Sequence, residues 1–235
     1  MKDQVLRLPE AVQRYLNYAQ VVGKEPIRSV RLKQRGEYRM KPGQKWLPFV
    51  AEQRFTTNPP AFLWHMTSRP FPLVSISVKD RFSSDHGDLL VQLWSLVPLS
   101  HARGPEIDQG ELQRYLLESA WFPTAWLSDA ITWQAVDDHT AKATIHLQGL
   151  TAEGEFHVDE QGQVAHVTAQ RYIKEHGRYQ LEPWSGRFSE YREADGMRIP
   201  TSFEVAWHLA AGDFSWLRAS VTEIEYNQSG KVTAF

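Results

Sequence analysis

One stretch in the middle of the chain, Asp108 to Trp121 (DQGELQRYLLESAW), reads as a helix, and nearly everything around it reads as strand. Leu112, Tyr115, Leu116 and Ser119 recur at helical spacing, Asp108 and Glu111 stand at capping-box spacing, and Pro123 stops the run. On both sides apolar and polar residues alternate between turn signals, as in half-buried antiparallel strands. A sheet of that extent needs its apolar face covered. The expected fold is therefore mainly β (α+β): a curved antiparallel sheet forming an open or half barrel, with an N-terminal helix and a mid-chain helix covering the concave face. No linker or repeat divides the chain, so residues 1–235 are read as a single domain. A helix-grip fold is the runner-up; it needs a long C-terminal helix, whereas this chain ends in strand-like Val221 to Tyr226.

Leu8 to Val22 places Leu8, Val12, Tyr15, Leu16, Ala19 and Val22 on one helical stripe, between Pro9 and Gly23. Strands are expected over Ile27 to Met40, Trp46 to Thr56, Val74 to Ser83 and Leu89 to Leu96, with a hairpin turn at Asp85-His86-Gly87-Asp88. The last of these is apolar at both parities and should be covered on both faces. From Ile131 onward, long strands alternate with tight turns.

The absence of cysteine excludes disulfides, thiolate metal sites and cysteine nucleophiles. No apolar run is long enough for a signal peptide or a membrane span, which predicts a cytoplasmic protein, or a periplasmic one if a leader has been removed. Charge is uneven. Residues 1–50 carry eleven Lys/Arg against four Asp/Glu (+7), and the remainder fifteen against twenty-four (−9). Arg31, Lys33, Arg35 and Arg39 share one strand parity, so one face is basic: either an ordinary solvated face or a surface for an anionic partner. No zinc-finger, P-loop or basic-helix motif points to nucleic acid.

Nine Trp, eight Tyr and eleven Phe make 12% of the chain aromatic. They build a β-rich core or line a pocket. Glu111, Arg114 and Glu118 share the polar face of the central helix, which is either solvated or a charge cluster at a cavity mouth, with Arg114 holding Glu118 at i,i+4. His157 and His166 should lie opposite each other across a hairpin, with His146 alongside, on a face that reads as solvated. Arg171 continues an apolar parity and could grip a carboxylate or phosphate, whereas Arg198 falls on the polar parity. No Gly-x-Ser-x-Gly, phosphate loop or His-Glu-x-x-His is present, and no cofactor is expected.

Phe62 to Pro70 (FLWHMTSRP) is similar to an early strand of the lipoprotein carrier family LolA, and the element order resembles it as well. That resemblance implies an incomplete barrel, lidded by helices, that holds acyl chains. The whole chain also resembles an uncharacterised bacterial family through Arg114 to Pro123, Pro183 to Gly186 and Arg198 to Pro200. That family brings no activity with it.

The function expected first is non-catalytic binding of an apolar or amphipathic small molecule, lipid-like or an acyl chain. Its lining would be Trp64, Met66, Tyr115, Trp121, Trp133, Trp184 and Trp207, with Arg114, Glu118 and Arg171 as polar anchors. One alternative is an enzyme using Glu118 and Arg114 for proton transfer or isomerisation. Another is an interaction protein that meets an anionic surface through the basic strand.

Overall fold

In a computed structural model, which describes residues 2–228, the strands form one antiparallel sheet. Two short helices, α1 (Lys2–Val5) and α2 (Glu10–Tyr18), precede it. Strands β1 (Ser29–Tyr38), β2 (Leu47–Thr57), β3 (Pro60–Phe71), β4 (Val74–Ser83), β5 (His86–Leu93) and β6 (Val97–Ala102) follow as a meander. Helix α3 (Pro105–Leu117) and two 3-10 turns (Glu118–Trp121 and Pro123–Leu127) come next. A second meander then runs through β7 (Ile131–Ala135), β8 (Thr140–Leu147), β9 (Leu150–Val158), β10 (Val164–Glu175), β11 (Arg178–Ala194), β12 (Met197–Leu209) and β13 (Gly212–Tyr226).

The order across the sheet is β6-β5-β4-β3-β2-β1-β13-β12-β11-β10-β9-β8-β7. The chain walks outward from β1 to one edge, crosses to the far edge, and walks back until β13 pairs with β1. Val30 lies opposite Tyr226 and Tyr38 opposite Leu217. Helix α3 is thus the connection between the two edges. It crosses the concave face and touches β3, β4 and β5 on one side and β8, β9 and β10 on the other. A crossing helix is covered nearly all round: besides Leu112, Tyr115 and Leu116, the polar Glu111 and Gln113 are also buried. Two glycines admit it. A Cβ at Gly87 would lie 2.9 Å from Ile107, and one at Gly154 would clash with Leu117.

Strand parity sets the core. Val30, Leu32, Phe49, Phe55, Phe62, Trp64, Met66 and Phe82 are buried inward-facing residues of β1–β4, and Phe156, Val167 and Ile199 are their counterparts across the sheet. Tyr15 of α2 donates to the carbonyl of Ala120 (2.7 Å), and Tyr226 of β13 donates to that of Trp121 (2.7 Å). Two distant elements thereby clamp the 3-10 turns.

Several local expectations are corrected. Pro105 occupies the first turn of α3, so the helix starts before Asp108; that carboxylate instead accepts from the Gly87 N–H at 2.7 Å. The α-helical bonding ends at Leu117, and Glu118 to Trp121 tighten into a 3-10 turn. The N-terminal helix is shorter than Leu8 to Val22: Pro9 stands at its N-cap, and Gln20, at positive φ, ends it after Tyr18. The β4–β5 turn falls on Ser84-Asp85, both at positive φ, which leaves His86 and Gly87 in the strand. Trp94 and Ser95, also at positive φ, turn the chain into an edge strand, β6, that the alternation did not announce. Only one face of β5 is covered by α3, and its side chains are half-buried.

Candidate functional site

Three strands of one four-strand run, β1, β2 and β4, each place a polar residue on the inward, apolar parity. Gln34 follows Val30 and Leu32 on β1, Gln53 lies between Ala51 and Phe55 on β2, and Asp80 lies between Val78 and Phe82 on β4. The register joins them: Gln53 is opposite Trp64 of β3, and Trp64 is opposite Asp80. Onto this row α3 lowers Glu111 and Arg114, and the turn that continues it lowers Glu118. Positions i, i+3 and i+7 share one helix face. The polar face of the helix is therefore neither solvated nor at a cavity mouth; it is pressed against the sheet.

A chain of hydrogen bonds runs through the cluster. The Trp64 indole donates to Gln34 (2.8 Å), Gln34 to Gln53 (3.3 Å), and Gln53 to Glu118 Oε2 (2.7 Å). Arg114 Nε donates to Glu118 Oε1 (3.0 Å), and its Nη1 donates to Asp80 Oδ2. The guanidinium lies 4.9 Å from the Trp64 ring centroid and 5.1 Å from that of Phe62. Charge-assisted bonds of this kind are strong where water is excluded.

Burial raises the pKa of Asp80 and Glu118, while Arg114 opposes the shift in both. Burial disfavours the charge of Arg114, but Glu118, Asp80 and Glu111 more than compensate and keep it protonated. Glu111 receives no hydrogen bond from either arginine, and their charges only partly offset its burial. Burial, then the charge of Asp80, push it up to about 8. Its Oε2 and Asp80 Oδ1 receive no donor from any other described residue, and the two carboxyls lie within hydrogen-bonding reach. A proton on Glu111, shared with Asp80, satisfies both. Two carboxylates and two guanidiniums, Arg114 and Arg171, then balance.

Arg171 stands at the border of this cluster. It donates to the Gly110 carbonyl (3.0 Å) and lies 5.0 Å from the Trp184 ring centroid. No ion pair holds it among the described residues, and burial lowers its pKa. The indole N–H of Trp184 is buried without a partner. Beyond Arg171, toward the ends of the strands that α3 does not reach, the inward side chains Leu47, Val78, Val91, Val205 and Trp207 are only half-buried. These inward, partly exposed side chains are the apolar strip of the concave face that α3 leaves uncovered, hereafter the trough.

The sequence-derived residues divide into four groups. Trp64, Arg114, Glu118, Arg171 and Trp184 belong to the cluster or its border, and Met66 and Trp207 face the trough. Trp207 lies opposite Trp184. Tyr115 and Trp121 are solid core: Trp121 donates to the Pro200 carbonyl (3.1 Å) and packs on Phe55, Phe188 and Phe203. Trp133 lies elsewhere, against Trp126 and Phe156. Tryptophan fills much of the concave face rather than lining it, because these rings pack on one another. Phe122 packs on Phe55 and Tyr115, and Tyr15 of α2 packs on Trp126. Gln34, Gln53 and Asp80 were not singled out by sequence; their position on an apolar parity was the available signal.

The other candidates have ordinary partners. Arg31 pairs with Glu52 (2.8 Å) and Glu225 (3.6 Å), and Lys33 with Glu223 (2.7 Å). Arg39 donates to the Ser215 carbonyl (2.6 Å) between Trp46 and Phe214. Of the basic strand only Arg35 is left, so it presents no basic stripe. His157 and His166 lie opposite each other as expected and stack at 4.0 Å, while His146 bonds Thr151. Among the described residues no group of three His, Asp or Glu is arranged to hold a metal. No described helix is long and apolar enough to cross a membrane.

A model of a family of unknown function, DUF6920, matches residues 6–226. No curated protein matches the chain. Among solved structures, a LolA superfamily protein from Nitrosomonas europaea is similar at 11% identity, with a TM-score of 0.47 over 93% of this chain and 94% of that one. A DUF1329 family protein from Desulfovibrio piger is similar at 13% identity, with a TM-score of 0.48 over 94% and 93%.

Proposed function

This chain belongs to the DUF6920 family of unknown function, and we propose that its concave face binds an amphipathic molecule, with an acyl chain along the trough and an acidic head group against Arg171. The observation that carries this reading is the partly buried guanidinium of Arg171, without an ion pair among the described residues, beside the buried, unpartnered indole N–H of Trp184, where the trough meets the charge cluster. A guanidinium held away from water without a direct carboxylate partner is poorly compensated, and a carboxylate supplied by a ligand would give it one. Apolar side chains with few polar anchors are the usual make-up of such sites.

The test is displacement of a fluorescent fatty acid, with native mass spectrometry of the purified protein. Arg171→Met should weaken binding of a fatty acid at least tenfold and leave binding of the matching fatty alcohol unchanged. Equal loss for both ligands, or no binding of either by the native protein, would remove the reading. Arg171→Lys, which keeps the charge, controls for folding.

A second reading rests on a separate observation. Glu118 is buried and held by Arg114 and Gln53, close to a second carboxyl that carries its proton to about 8. A fixed carboxylate near a protonated one can take and return a proton in a dry site. If this chain is an enzyme, the reaction class is proton transfer adjacent to the ligand's carboxyl group. Solvent deuterium should then enter that carbon of a bound acid, and Glu118→Gln should stop it. An absence of exchange by the native protein would end this reading without touching the first.

A further inference from the structure

Three hairpin tips, 39–46, 72–73 and 94–96, emerge side by side at one end of the sheet, opposite the end that carries α1 and α2. The register fixes this: Tyr38 pairs with Leu47, Phe71 with Val74, and Leu93 with Val97. Met40, Phe71, Leu73, Trp94 and Leu96 stand on or beside these tips, each more than half exposed, with Leu73 at 86% and Leu96 at 78%. Isolated exposed apolar residues are ordinary, but five on adjacent tips are not. Two of the tips are also tied together. The Trp94 N–H bonds the Ser75 carbonyl (2.7 Å), and its indole bonds the Leu73 carbonyl (2.8 Å).

Charge on these three segments has one sign. Residues 38–51, 66–79 and 89–105 contain no Asp or Glu, in a chain whose residues beyond 50 carry an acidic excess. The same segments hold Arg39, Lys41, Lys45, Arg69, Lys79 and Arg103, of which Lys41, Lys45 and Arg69 lie nearest the tips and are exposed. Apolar and indole side chains that project past the strand ends, flanked by cations without acids, match the layered chemistry of an anionic bilayer surface.

We propose that these three tips dock the protein on an anionic lipid bilayer, with Leu73, Trp94 and Leu96 entering the interfacial layer and Lys41, Lys45 and Arg69 meeting the head groups. This surface is separate from Arg171 and stands whether or not the trough binds a ligand. Edge strand β6, with exposed Val97 and Leu99, could instead pair with a second copy, which the test below separates.

The experiment is co-sedimentation with phosphatidylcholine vesicles, with and without phosphatidylglycerol, at low and high salt. Binding is expected to phosphatidylglycerol vesicles at low salt, and to weaken at least tenfold at high salt. The double variant Leu73→Glu/Leu96→Glu should lose it at least tenfold while keeping fatty-acid binding and its circular dichroism spectrum, since both side chains are exposed. Lys41→Glu/Lys45→Glu should lose it at low salt. Brominated-chain phosphatidylglycerol should quench tryptophan fluorescence in the native protein, and less so in Trp94→Phe. The proposal is overturned by no binding at low salt, by undiminished binding of the tip variants, or by equal binding to phosphatidylcholine alone. Dimerisation abolished by Leu99→Glu, without vesicle binding, would also overturn it.

Discussion

Asp80 and Glu111 illustrate what a single inward-facing acid does to a β-rich core. Neither is tolerable alone, and the structure resolves the conflict with one arginine and one proton. The pH dependence follows. The folded pKa of Glu111 lies at about 8, above its ordinary value of 4.5. Between those values the folded chain binds more protons than the unfolded one, so this stability contribution is full below about 4.5 and is lost as pH rises through about 8. The slope for one proton is at most about 1.4 kcal/mol per pH unit. Glu111→Gln keeps a donor toward Asp80 and removes the titration. Urea midpoints at pH 5 and pH 8 should fall in the native protein and change much less in the variant. A native slope that survives the substitution would place the proton elsewhere. At this scale the sequence was partly legible. Asp80 shares a parity with Val78 and Phe82, which marks it as buried, and Arg114 and Glu118 stand at pairing distance on one helix. The meeting of Asp80 with Arg114, 34 residues away, was not legible, because it depends on where α3 lands.

At the scale of elements, the decisive fact is that α3 links the two edges of a single sheet. A helix on such a path has no solvent face to keep polar, which is why helical spacing found Leu112 and Leu116 but assigned Glu111 to water. The helix, the strands and their parity were legible from local pattern. The start of the helix was not, because Pro105 outcompeted the Asp108 capping signal, nor was β6, whose exposed side chains do not alternate in burial. Seating of α3 depends on Gly87, where a methyl group would meet the Ile107 side chain and carbonyl at 2.9 Å and Glu111 Cγ at 3.0 Å. Gly87→Ala should therefore push the helix off β5 and destabilise the protein by about 1–3 kcal/mol, the usual range for overpacking. The same substitution at Gly110, which has nothing within 4 Å, should leave stability unchanged or raised. Chemical denaturation of the two variants side by side checks this, and equal effects would mean that α3 is not held by close approach.

For the whole molecule, the pairing of β1 with β13 brings the first and last strands together at the centre of the sheet, and the concave face then splits into a packed half and an open half. Trp121 belongs to the first. It is buried among Phe55, Phe188 and Phe203, and its carbonyl is clamped by Tyr226. Trp207 belongs to the second, half-buried and opposite Trp184. Aromatic content alone could not separate the two, since both tryptophans sit on inward parities; only the path of α3 decides which of them is covered. Their variants should behave in opposite ways. Trp121→Ala opens a void in close-packed core and should cost about 3–5 kcal/mol, while fatty-acid binding persists at temperatures where the variant remains folded. Trp207→Ala removes a partly solvated ring and should cost less than half of that, while lowering affinity for the acyl chain by at least tenfold. Thermal unfolding and fluorescent fatty-acid titration of the two proteins give both numbers. The reverse pattern, with binding lost in Trp121→Ala and kept in Trp207→Ala, would move the ligand out of the trough and into the packed half, where Trp121 would have to swing aside to admit it.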